Sequence, residues 1–403
     1  MTALYLYDDA CARSFAPFAL TRPLGEMRAG VELIRRRWER ALAMSACGSL
    51  SAAHLEQFEE FDAPPIARGT LPAGAILANS RCVVALQHGT ALADVWTCEG
   101  RVAAVRLAHD LPAQELTGGD EPLESLGTAG TRVACVTGRW LDNVWDFITM
   151  LSPLLREDIE ALGPTLECSM PAEAIRLGRG NVFVEDGATV EPAVCFDTTD
   201  GPILIRAGAT VRAFTRLVGP CAIAAGATVV GERVSGCSIG EMCIAHGELS
   251  ETVMLGHANK SHDGFVGHSY LGRWVNLGAG TITSNLKNTY GPVTLWTPRA
   301  MRDTGMQFLG TMFGDHAKTG IGTCLTTGTV LGAGANVYGA ESPPKVVPPF
   351  AWGSAPPYEV YRLDKFLEVA ERMMARRQVT LSDRARRQLA ASHRVRWTVE
   401  SSE

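Results

Sequence analysis

No stretch of 18 or more apolar residues occurs in the 403-residue chain, and a helix of about that length is needed to cross a bilayer. The sequence also has no basic surplus, because 37 Lys and Arg stand against 43 Asp and Glu, which argues against a general nucleic-acid partner. The opening residues, MTALYLYDDA, reach acidic side chains too early for the apolar core of a signal peptide. We therefore expect a cytoplasmic protein that has neither a membrane nor a nucleic acid as its partner.

A CxxC pair is also missing, although the chain contains 11 cysteines between Cys11 and Cys324. In a cytosol-like setting this scattered spacing favours neither a disulfide framework nor a structural zinc site. We expect most of these thiols to be buried as small apolar side chains.

Glycine is the residue type in evident excess, with 41 residues concentrated after position 175, where a six-residue period begins. Large apolar residues recur six apart at Val184, Val190 and Phe196, at Ile205, Val211, Leu217, Ile223 and Val229, at Leu271 and Leu277, and at Leu325, Leu331 and Val337. Each six-residue unit would form one face of a triangular coil, with the apolar residue inside and small residues at the corner. Ordinary strands joined by glycine turns would instead alternate with period two. The period predicts a left-handed parallel β-helix over residues 175–340.

Residues 1–165 have a different pattern, in which short apolar runs alternate with helix-like stretches. The apolar runs are Ala3–Tyr7, Ala75–Ala78, Val102–Leu107 and Val133–Val136, and the helix-like stretches include Ala29–Ala43 and Trp145–Leu155. This alternation predicts an α/β domain.

The remaining segment, residues 341–403, begins with the proline-rich run Pro343–Pro357. We expect that run to form a strap without regular secondary structure. A C-terminal helical tail should follow, because one helical face collects the apolar residues Leu363, Phe366, Leu367, Ala370, Met373 and Met374.

Five of the nine histidines lie between His246 and His316, and His262 and His268 lie within a polar segment of the repeat region. A period of six places those two on successive faces, so their side chains would not converge on a zinc ion. General-base catalysis by a single histidine is the better interpretation. Asn276 and Asn285 belong to the same segment, and a corner turn would account for either one taken alone.

The run SHDGFVGHSYLGRWVNLGAGTITSN, residues 261–285, resembles the acetyltransferase half of the bacterial bifunctional enzymes that make UDP-N-acetylglucosamine, the N-acetylglucosamine-1-phosphate uridyltransferase/glucosamine-1-phosphate N-acetyltransferases. His262, Asn276 and Asn285 fall at that family's spacing, and Phe265 stands where the family usually has Tyr. The resemblance implies that His262 is the general base that deprotonates an amino-sugar 1-phosphate for attack on acetyl-CoA. It also implies that Phe265 and Asn285 line the amino-sugar site and that Asn276 supports it.

The resemblance extends to the cofactor and to the assembly. Gly320 and Lys318, in FGDHAKTGIGT, would help to bind acetyl-CoA. The family's Lys that contacts the sugar phosphate meets Ser250 here, which leaves Lys260 or Arg233 as substitutes. A homotrimer is implied as well, because in this class the acyl-CoA cleft lies between adjacent prisms.

Both ends of the chain, including LYDDACARSFAPFALTRPLGEMRAG, resemble the sugar nucleotidyltransferases related to these bifunctional enzymes. This likeness implies a nucleotidyltransferase-like first domain, although the glycine-rich phosphate loop expected after its first strand is missing. Asp8, Asp9, Arg22 and Arg28 are the candidates for contact with nucleotide phosphates. Asp8 and Asp9 are also candidate Mg²⁺ ligands, with an ordinary turn as the alternative.

Three functions remain open at this point. The first combines acetyl transfer on the β-helix with nucleotidyl transfer by the first domain. The second is nucleotidyl transfer alone, from UTP or dTTP to a sugar 1-phosphate, with a structural or regulatory β-helix. The third is a non-catalytic scaffold that binds sugar nucleotides, which the missing glycine loop favours for the first domain and the spacing of His262, Asn276 and Asn285 opposes for the second.

Overall fold

The computed structural model describes residues 2–86, 89–127 and 132–397. It divides into two compact units. The first comprises the chain up to Val144 together with Thr380–Val395, and the second runs from Trp145 to Val379. The end of the predicted tail, from Thr398 onwards, lies outside the described residues. No helix in the described ranges is both long and apolar enough to cross a membrane.

The first unit is built on a mixed six-stranded sheet. Its spatial order is Val133–Cys135, Val95–Cys98, Arg101–Arg106, Ile76–Asn79, Leu4–Tyr7 and Ala46–Leu50. Leu4–Tyr7 pairs in parallel with a strand on each side. Because side chains that follow parallel strands collect at one edge of a sheet, Asp8 and Asp9 are placed at the edge where α/β proteins bind ligands.

Shorter elements surround this sheet. The α-helices are α1 (Ile34–Leu42) and α2 (Leu123–Leu126), and the 3-10 turns are Ala12–Ser14, Leu24–Glu26, Ala53–Leu55 and Ala113–Leu116. Two-stranded pairs join Arg28–Ala29 to Glu32–Leu33, Thr70–Leu71 to Leu111–Pro112, and Cys82–Val84 to Gly138–Trp140. The helix predicted from Ala29 begins only at Ile34, because Gly30, at φ +64°, turns the chain between two short strands.

The second unit starts with the helices α3 (Asp146–Thr149) and α4 (Leu151–Leu162) and the 3-10 turn Gly163–Thr165. A parallel β-helix of about ten turns follows over residues 175–353, which confirms the predicted architecture. It continues beyond residue 340, where the sequence predicts its end.

Three sheets form the faces of the β-helix. The first face contains Ile175–Leu177, Cys195–Asp197, Thr215–Val218, Glu232–Ser235, Leu249–Ser250 and Val266–Gly267, with a further pair Ile282–Thr283 and Cys324–Leu325. The second contains Val182–Val184, Ile203–Ile205, Cys221–Ile223, Ser238–Ile239, Val253–Met254, Tyr270–Leu271, Met312–Phe313, Val330–Leu331 and Val346–Val347. The third contains Thr189–Val190, Thr210–Val211, Thr228–Val229, Ile244–Ala245 and Asn259–Lys260, then Lys318–Thr319, Asn336–Val337, Ala351–Gly353 and the antiparallel Glu359–Val360.

The apolar residues of the six-residue period point into this coil. All of them are buried in one continuous core except Val190, which packs against it half-buried. The looser spacing in the middle has a structural cause, since some turns are shorter than three full units. Ile205 lies beside Ile223, 18 residues later, whereas Ile239 lies beside Met254, only 15 residues later.

One turn carries a long insertion, because Leu271 lies beside Phe313, 42 residues later. The inserted chain leaves the coil after Asn285 and forms a hairpin of Thr294–Trp296 and Met301–Asp303. Asn285 is bonded to the returning chain through its carbonyl, which accepts from the amide of Leu309 at 2.9 Å. The insertion therefore lies next to the residues proposed for the amino-sugar site.

The proline-rich run differs from the expectation of a strap without regular structure. Val346–Val347 and Ala351–Gly353 form the last strands of two faces. Neither strand contains proline, and Pro348 and Pro349 lie at the corner between them, where no ladder amide is needed.

The predicted tail consists of two helices, α5 (Leu363–Ala375) and α6 (Asp383–Arg394). Phe366, Leu367, Ala370 and Met374 of α5 are buried, as the sequence predicts. The helix α6 belongs to the first unit. Ser382 caps it by accepting from the amide of Ala385 at 3.1 Å.

The eleven thiols are all free, but only Cys82, Cys98, Cys221, Cys237 and Cys243 are buried. The expectation that most cysteines are buried is therefore wrong. Exposed cysteines such as Cys324 lie on strand positions that point outward, where a small side chain of any polarity fits.

Candidate functional site

His262 lies at the corner between the strands Asn259–Lys260 of the third face and Val266–Gly267 of the first. Its side chain is exposed. The corner is supported from inside by Lys260, whose Nζ donates to the carbonyl of His262 and, at 3.0 Å, to the carbonyl of His246. The imidazole is thus accessible to a substrate, while its backbone is held by a buried cation.

Lys260 itself is not where the resemblance suggests. The side chain is 1 % exposed, because it occupies an inward position in register with Ala245. Burial lowers the pKa of its ammonium to about 8. Lys260 therefore supports the corner from within the coil, and we correct its assignment as a direct contact of the sugar phosphate.

Phe265 and Asn285 meet over Gly267 on the outer surface of the first face. A Cβ on Gly267 would lie 2.4 Å from Cζ of Phe265 and 2.8 Å from Nδ2 of Asn285, so glycine is needed for this approach. The same Nδ2 lies 2.9 Å from Nδ1 of His268. The imidazole of His268 in turn stacks on Phe308 of the insertion, with ring centroids 5.4 Å apart.

Asn276 lies around the corner on the third face, between Asn259 and Lys318. Its Oδ1 accepts from Nδ2 of Asn259 at 2.8 Å, and Asn259 also donates to Ser261 at 3.3 Å. These bonds orient Asn276 so that its own Nδ2 remains available as a donor.

A cavity of about 250 Å³ opens in front of this amide pair. It is bounded by the β-helix residues Asn259, Ser261 and Asn276 and, on the other side, by Arg376 and Arg377 after the end of α5. The described lining residues include these two guanidinium groups and no carboxylate. Such a cavity favours an anion.

Gly320 and Lys318 have protein partners that limit their predicted role. The amide of Gly320 donates to the carbonyl of Val337 at 2.7 Å, so it is not available to bind a thioester, and that part of the prediction is corrected. Nζ of Lys318 donates to the carbonyl of His316 at 3.0 Å, and burial lowers the pKa of this ammonium to about 8.

Arg233, the other candidate for contact with the sugar phosphate, is exposed on the first face. Its Nη1 lies 3.4 Å from Oε1 of Glu248.

Sequence reasoning missed the environment of His246. Its Nε2 lies 2.9 Å from Oδ1 of Asp263, the neighbour of His262. Glu232 completes a group whose ligand atoms lie within 4.8 Å of one another, which is compatible with a metal ion. These residues are 14 to 17 apart along the chain, one turn of the coil each, and only knowledge of the turn lengths could have related them.

In the first unit, Asp8 and Asp9 diverge after their strand. Asp8 is buried, and its Oδ2 accepts from Ser51 at 2.6 Å and from the amide of Leu24 at 3.1 Å. Burial raises its pKa. Asp9 lies on the other side and accepts from Arg81, with the closest contact at 2.7 Å to Nη2.

These carboxylates do not fit a Mg²⁺ site. Asp8 is enclosed by protein, and both oxygens of Asp9 are taken by Arg81, with further donors from Asn79 at 2.9 Å and the amide of Ala12 at 2.9 Å. Although burial opposes it, these donors lower the pKa of Asp9. A guanidinium therefore stands where a divalent cation would have to bind.

The two arginines predicted to contact phosphate are also engaged inside the protein. Arg22 is 2 % exposed and pairs with Glu60 at 2.8 Å. Arg28 is 1 % exposed and donates to the carbonyl of Val31. Neither guanidinium is displayed to a ligand, and we correct both assignments.

A cavity of about 490 Å³ nevertheless lies beside Asp9. Arg81, Arg101 and Trp140 border it, and the guanidinium carbon of Arg101 lies 3.9 Å from the centroid of the Trp140 ring. Arg101 also pairs with Asp142 at 3.0 Å while remaining partly exposed. Arg81 and Arg101 belong to different strand ends, so their meeting could not be deduced from their sequence positions.

Residues 4–164 match the family described as sugar nucleotidyl transferase. The chain is 28% identical over 168 residues to the bifunctional protein GlmU of Synechococcus elongatus, covering 42% of this chain and 29% of that protein. It is 32% identical over 91 residues to a bifunctional sugar-1-phosphate nucleotidylyltransferase/acetyltransferase of Sulfurisphaera tokodaii, covering 23% of each. These findings confirm the resemblance, and the chain spans less than a third of the length of either relative.

Among solved structures, the chain was matched to AntD, an N-acyltransferase from Bacillus cereus. The match covers 50% of this chain and 91% of that chain at 11% identity, with a TM-score of 0.21. A likeness at this level carries no argument about fold or function.

Proposed function

We propose that this chain, whose residues 4–164 form a sugar nucleotidyltransferase domain, transfers an acetyl group from acetyl-CoA to an amino-sugar 1-phosphate on its β-helix. The observation that carries the proposal is the exposed His262 at a corner of the coil, shortly before Phe265, which meets Asn285 of the next turn over Gly267. The names of the relatives are in accord with it, since one is a nucleotidylyltransferase/acetyltransferase.

The reaction needs a proton acceptor, because an ammonium group has no lone pair with which to attack a carbonyl. His262 takes the proton from the ammonium, and the free amine attacks the thioester carbonyl of acetyl-CoA. The tetrahedral intermediate collapses with cleavage of the C–S bond, and the CoA thiolate accepts a proton as the amide forms. Phe265 and Asn285 hold the sugar during these steps.

The acyl donor would reach His262 from the cavity in front of Asn276. Coenzyme A carries several phosphate charges, and Arg376 and Arg377 border this cavity without a carboxylate among its described lining residues. We assign the cavity to a phosphate group of coenzyme A, with Lys318 behind Asn276 adding positive charge.

For the first domain we propose nucleotidyl transfer to a sugar 1-phosphate. The cavity beside Asp9 supports this, because it lies at the carboxyl ends of the parallel strands Leu4–Tyr7 and Ile76–Asn79. Asp9 and Arg81 would position Arg101 and Trp140 for the nucleotide. The acetylated sugar 1-phosphate would be its natural acceptor.

One other function has a specific observation in its favour. The pairing of Asp9 with Arg81, where a metal ligand is expected, favours a first domain that binds a sugar nucleotide without converting it. Nucleotidyl transfer alone, with a structural β-helix, would leave His262 without a role.

The first experiment measures thiol release from acetyl-CoA with glucosamine 1-phosphate. The intact protein should be active, and His262→Ala should lower the rate by about two orders of magnitude or more, the usual contribution of a general base. His109→Ala is the matched control, because His109 is an exposed histidine of the first unit.

Absence of thiol release by the intact protein would overturn acetyl transfer. Pyrophosphate release from UTP, measured with N-acetylglucosamine 1-phosphate and with glucose 1-phosphate, would then separate a nucleotidyltransferase from a binding scaffold.

A further inference from the structure

His268 is the residue of the candidate site that the general-base mechanism does not use. It lies at the end of the first face, immediately after Gly267, and is half-buried between two groups. Asn285 approaches one ring nitrogen at 2.9 Å, and Phe308 of the insertion covers one ring face with an interplanar angle of 25°. The contact at the ring edge and the contact on the ring face together fix the orientation of the His268 imidazole.

The contact with Asn285 also selects the tautomer. The atom of Asn285 that approaches is Nδ2, which can only donate, so Nδ1 of His268 must accept. An accepting Nδ1 leaves the ring proton on Nε2. Burial lowers the pKa of this imidazole to about 4, so at neutral pH the ring is uncharged with Nε2 as a hydrogen-bond donor.

The surroundings of this donor suit a sugar ring. Phe265 and Phe308 contribute two aromatic rings, and Phe308 is 40 % exposed although it is large and apolar. Because Gly267 has no side chain, the ring of Phe265 and the amide of Asn285 come together above it, beside His268. Apolar C–H faces of a pyranose pack on aromatic rings, and its hydroxyl groups need donors and acceptors beside them.

We propose that Phe265, Phe308, Asn285 and His268 form a pyranose-binding shelf, in which His268 donates from Nε2 to a sugar oxygen. This inference rests on the proposed function for the identity of the ligand and adds a specificity-determining residue to it. A neutral donor is suited to this place, because a Lys or Arg would repel the ammonium of the substrate. The insertion has a purpose in this arrangement, since it supplies Phe308.

The tautomer is tested directly in the full chain labelled with ¹⁵N-histidine. Long-range ¹H–¹⁵N correlation spectra distinguish a protonated Nε2 from a protonated Nδ1, and the spectrum of His268→Phe identifies the signals. We expect the Nε2–H form at pH 7, and a shift of its signal when glucosamine 1-phosphate is added. An Nδ1–H form, an imidazolium, or a signal that the sugar does not move would overturn the proposal.

Kinetic variants separate a positioning role from a catalytic one. His268→Phe keeps the stacking on Phe308 but removes the donor, so KM for the sugar phosphate should rise about tenfold with kcat changed less than about threefold. His268→Gln places an amide nitrogen near the position of Nε2 and should restore KM to within about threefold of the parent. A fall in kcat instead of a rise in KM, or no rescue by Gln, contradicts the assignment.

The two proposals fail in distinguishable ways. If the protein releases no thiol from acetyl-CoA while the sugar still perturbs the Nε2–H signal, acetyl transfer is wrong and the shelf stands. If acetyl transfer is observed with an Nδ1–H imidazole at position 268, the shelf is wrong and the function stands.

Discussion

Lys260 and Asn276 show how the same stretch of sequence can place neighbouring polar residues in unlike surroundings. Inward and outward positions alternate along a strand, so Lys260 enters the coil whereas Asn259, one residue earlier, lies outside and bonds to Asn276. The sequence predicts that both Lys260 and Asn276 belong to the site. Which of them faces a ligand depends on the register of a two-residue strand.

Replacement of Lys260 tests its burial through stability. Its pKa falls from the ordinary 10.5 to about 8 in the folded chain, so between these values the unfolded chain binds more protons and stability rises with pH. Below about pH 8 both states are charged and the folded state bears the full cost. The whole shift corresponds to roughly 3 kcal/mol.

We expect Lys260→Met to lack this rise. The unfolding free energy of the parent minus that of the variant should increase by roughly 3 kcal/mol from pH 7 to pH 10.5, measured by urea denaturation. Lys365→Met, which removes an exposed ammonium, should give a constant difference. A constant difference for Lys260→Met as well would show that its ammonium is solvated.

At the scale of elements, one side of α5 packs in the core, and its other side, with the residues that follow it, borders a cavity. Phe366, Ala370 and Met374 are buried, while Met373, Arg376 and Arg377 border the cavity in front of Asn276. The apolar helical face predicts the buried side, although it also includes Met373, which borders the cavity instead. What the other side contacts depends on the face of the β-helix against which α5 packs after the proline-rich corner. No local sequence pattern predicts that face.

Charge reversal at Arg376, directly after the end of α5, tests the anion cavity. Arg376→Glu should raise the Kd for coenzyme A at least tenfold in calorimetry on the full chain, because it replaces an attractive charge by a repulsive one. Arg372→Glu makes the same change within α5, at a residue that pairs with Glu368 and does not line this cavity, and should alter Kd less than about twofold. Equal effects of the two variants would indicate only a long-range field.

Comparison of coenzyme A with dephospho-coenzyme A identifies the phosphate concerned. If Arg376→Glu weakens both ligands equally, the cavity binds the diphosphate rather than the 3′-phosphate. If it weakens glucosamine 1-phosphate and neither form of the coenzyme, the cavity belongs to the sugar phosphate.

At the scale of the whole molecule, the two units differ in how far apart along the chain their contacting residues lie. The β-helix is a repeat in which each turn contacts its neighbours, so its core follows the chain in order. The first unit needs strands from distant parts of the sequence, and it includes α6 from the other end of the chain. Repetition made the second unit predictable to individual residues, while the first was predictable as a class only.

We propose a homotrimer of β-helices, since a site at the His262 corner would then be completed by an adjacent prism. Light scattering should give three times the 43.1 kDa of one chain. A monomeric mass that persists at high concentration together with full acetyl transfer would show that one prism suffices.

By itself the sequence predicted the β-helix, its inward apolar residues and the polar segment of the candidate site, because a six-residue period is the pattern of a triangular coil and such a coil does not need those polar residues to fold. Tertiary structure alone decided that Arg22 and Arg28 are buried, that Arg81 takes both oxygens of Asp9, and that His268 meets Asn285 and Phe308. Those outcomes depend on turn lengths, insertions and strand register. Such features bring distant residues within bonding distance and leave no mark on the local pattern.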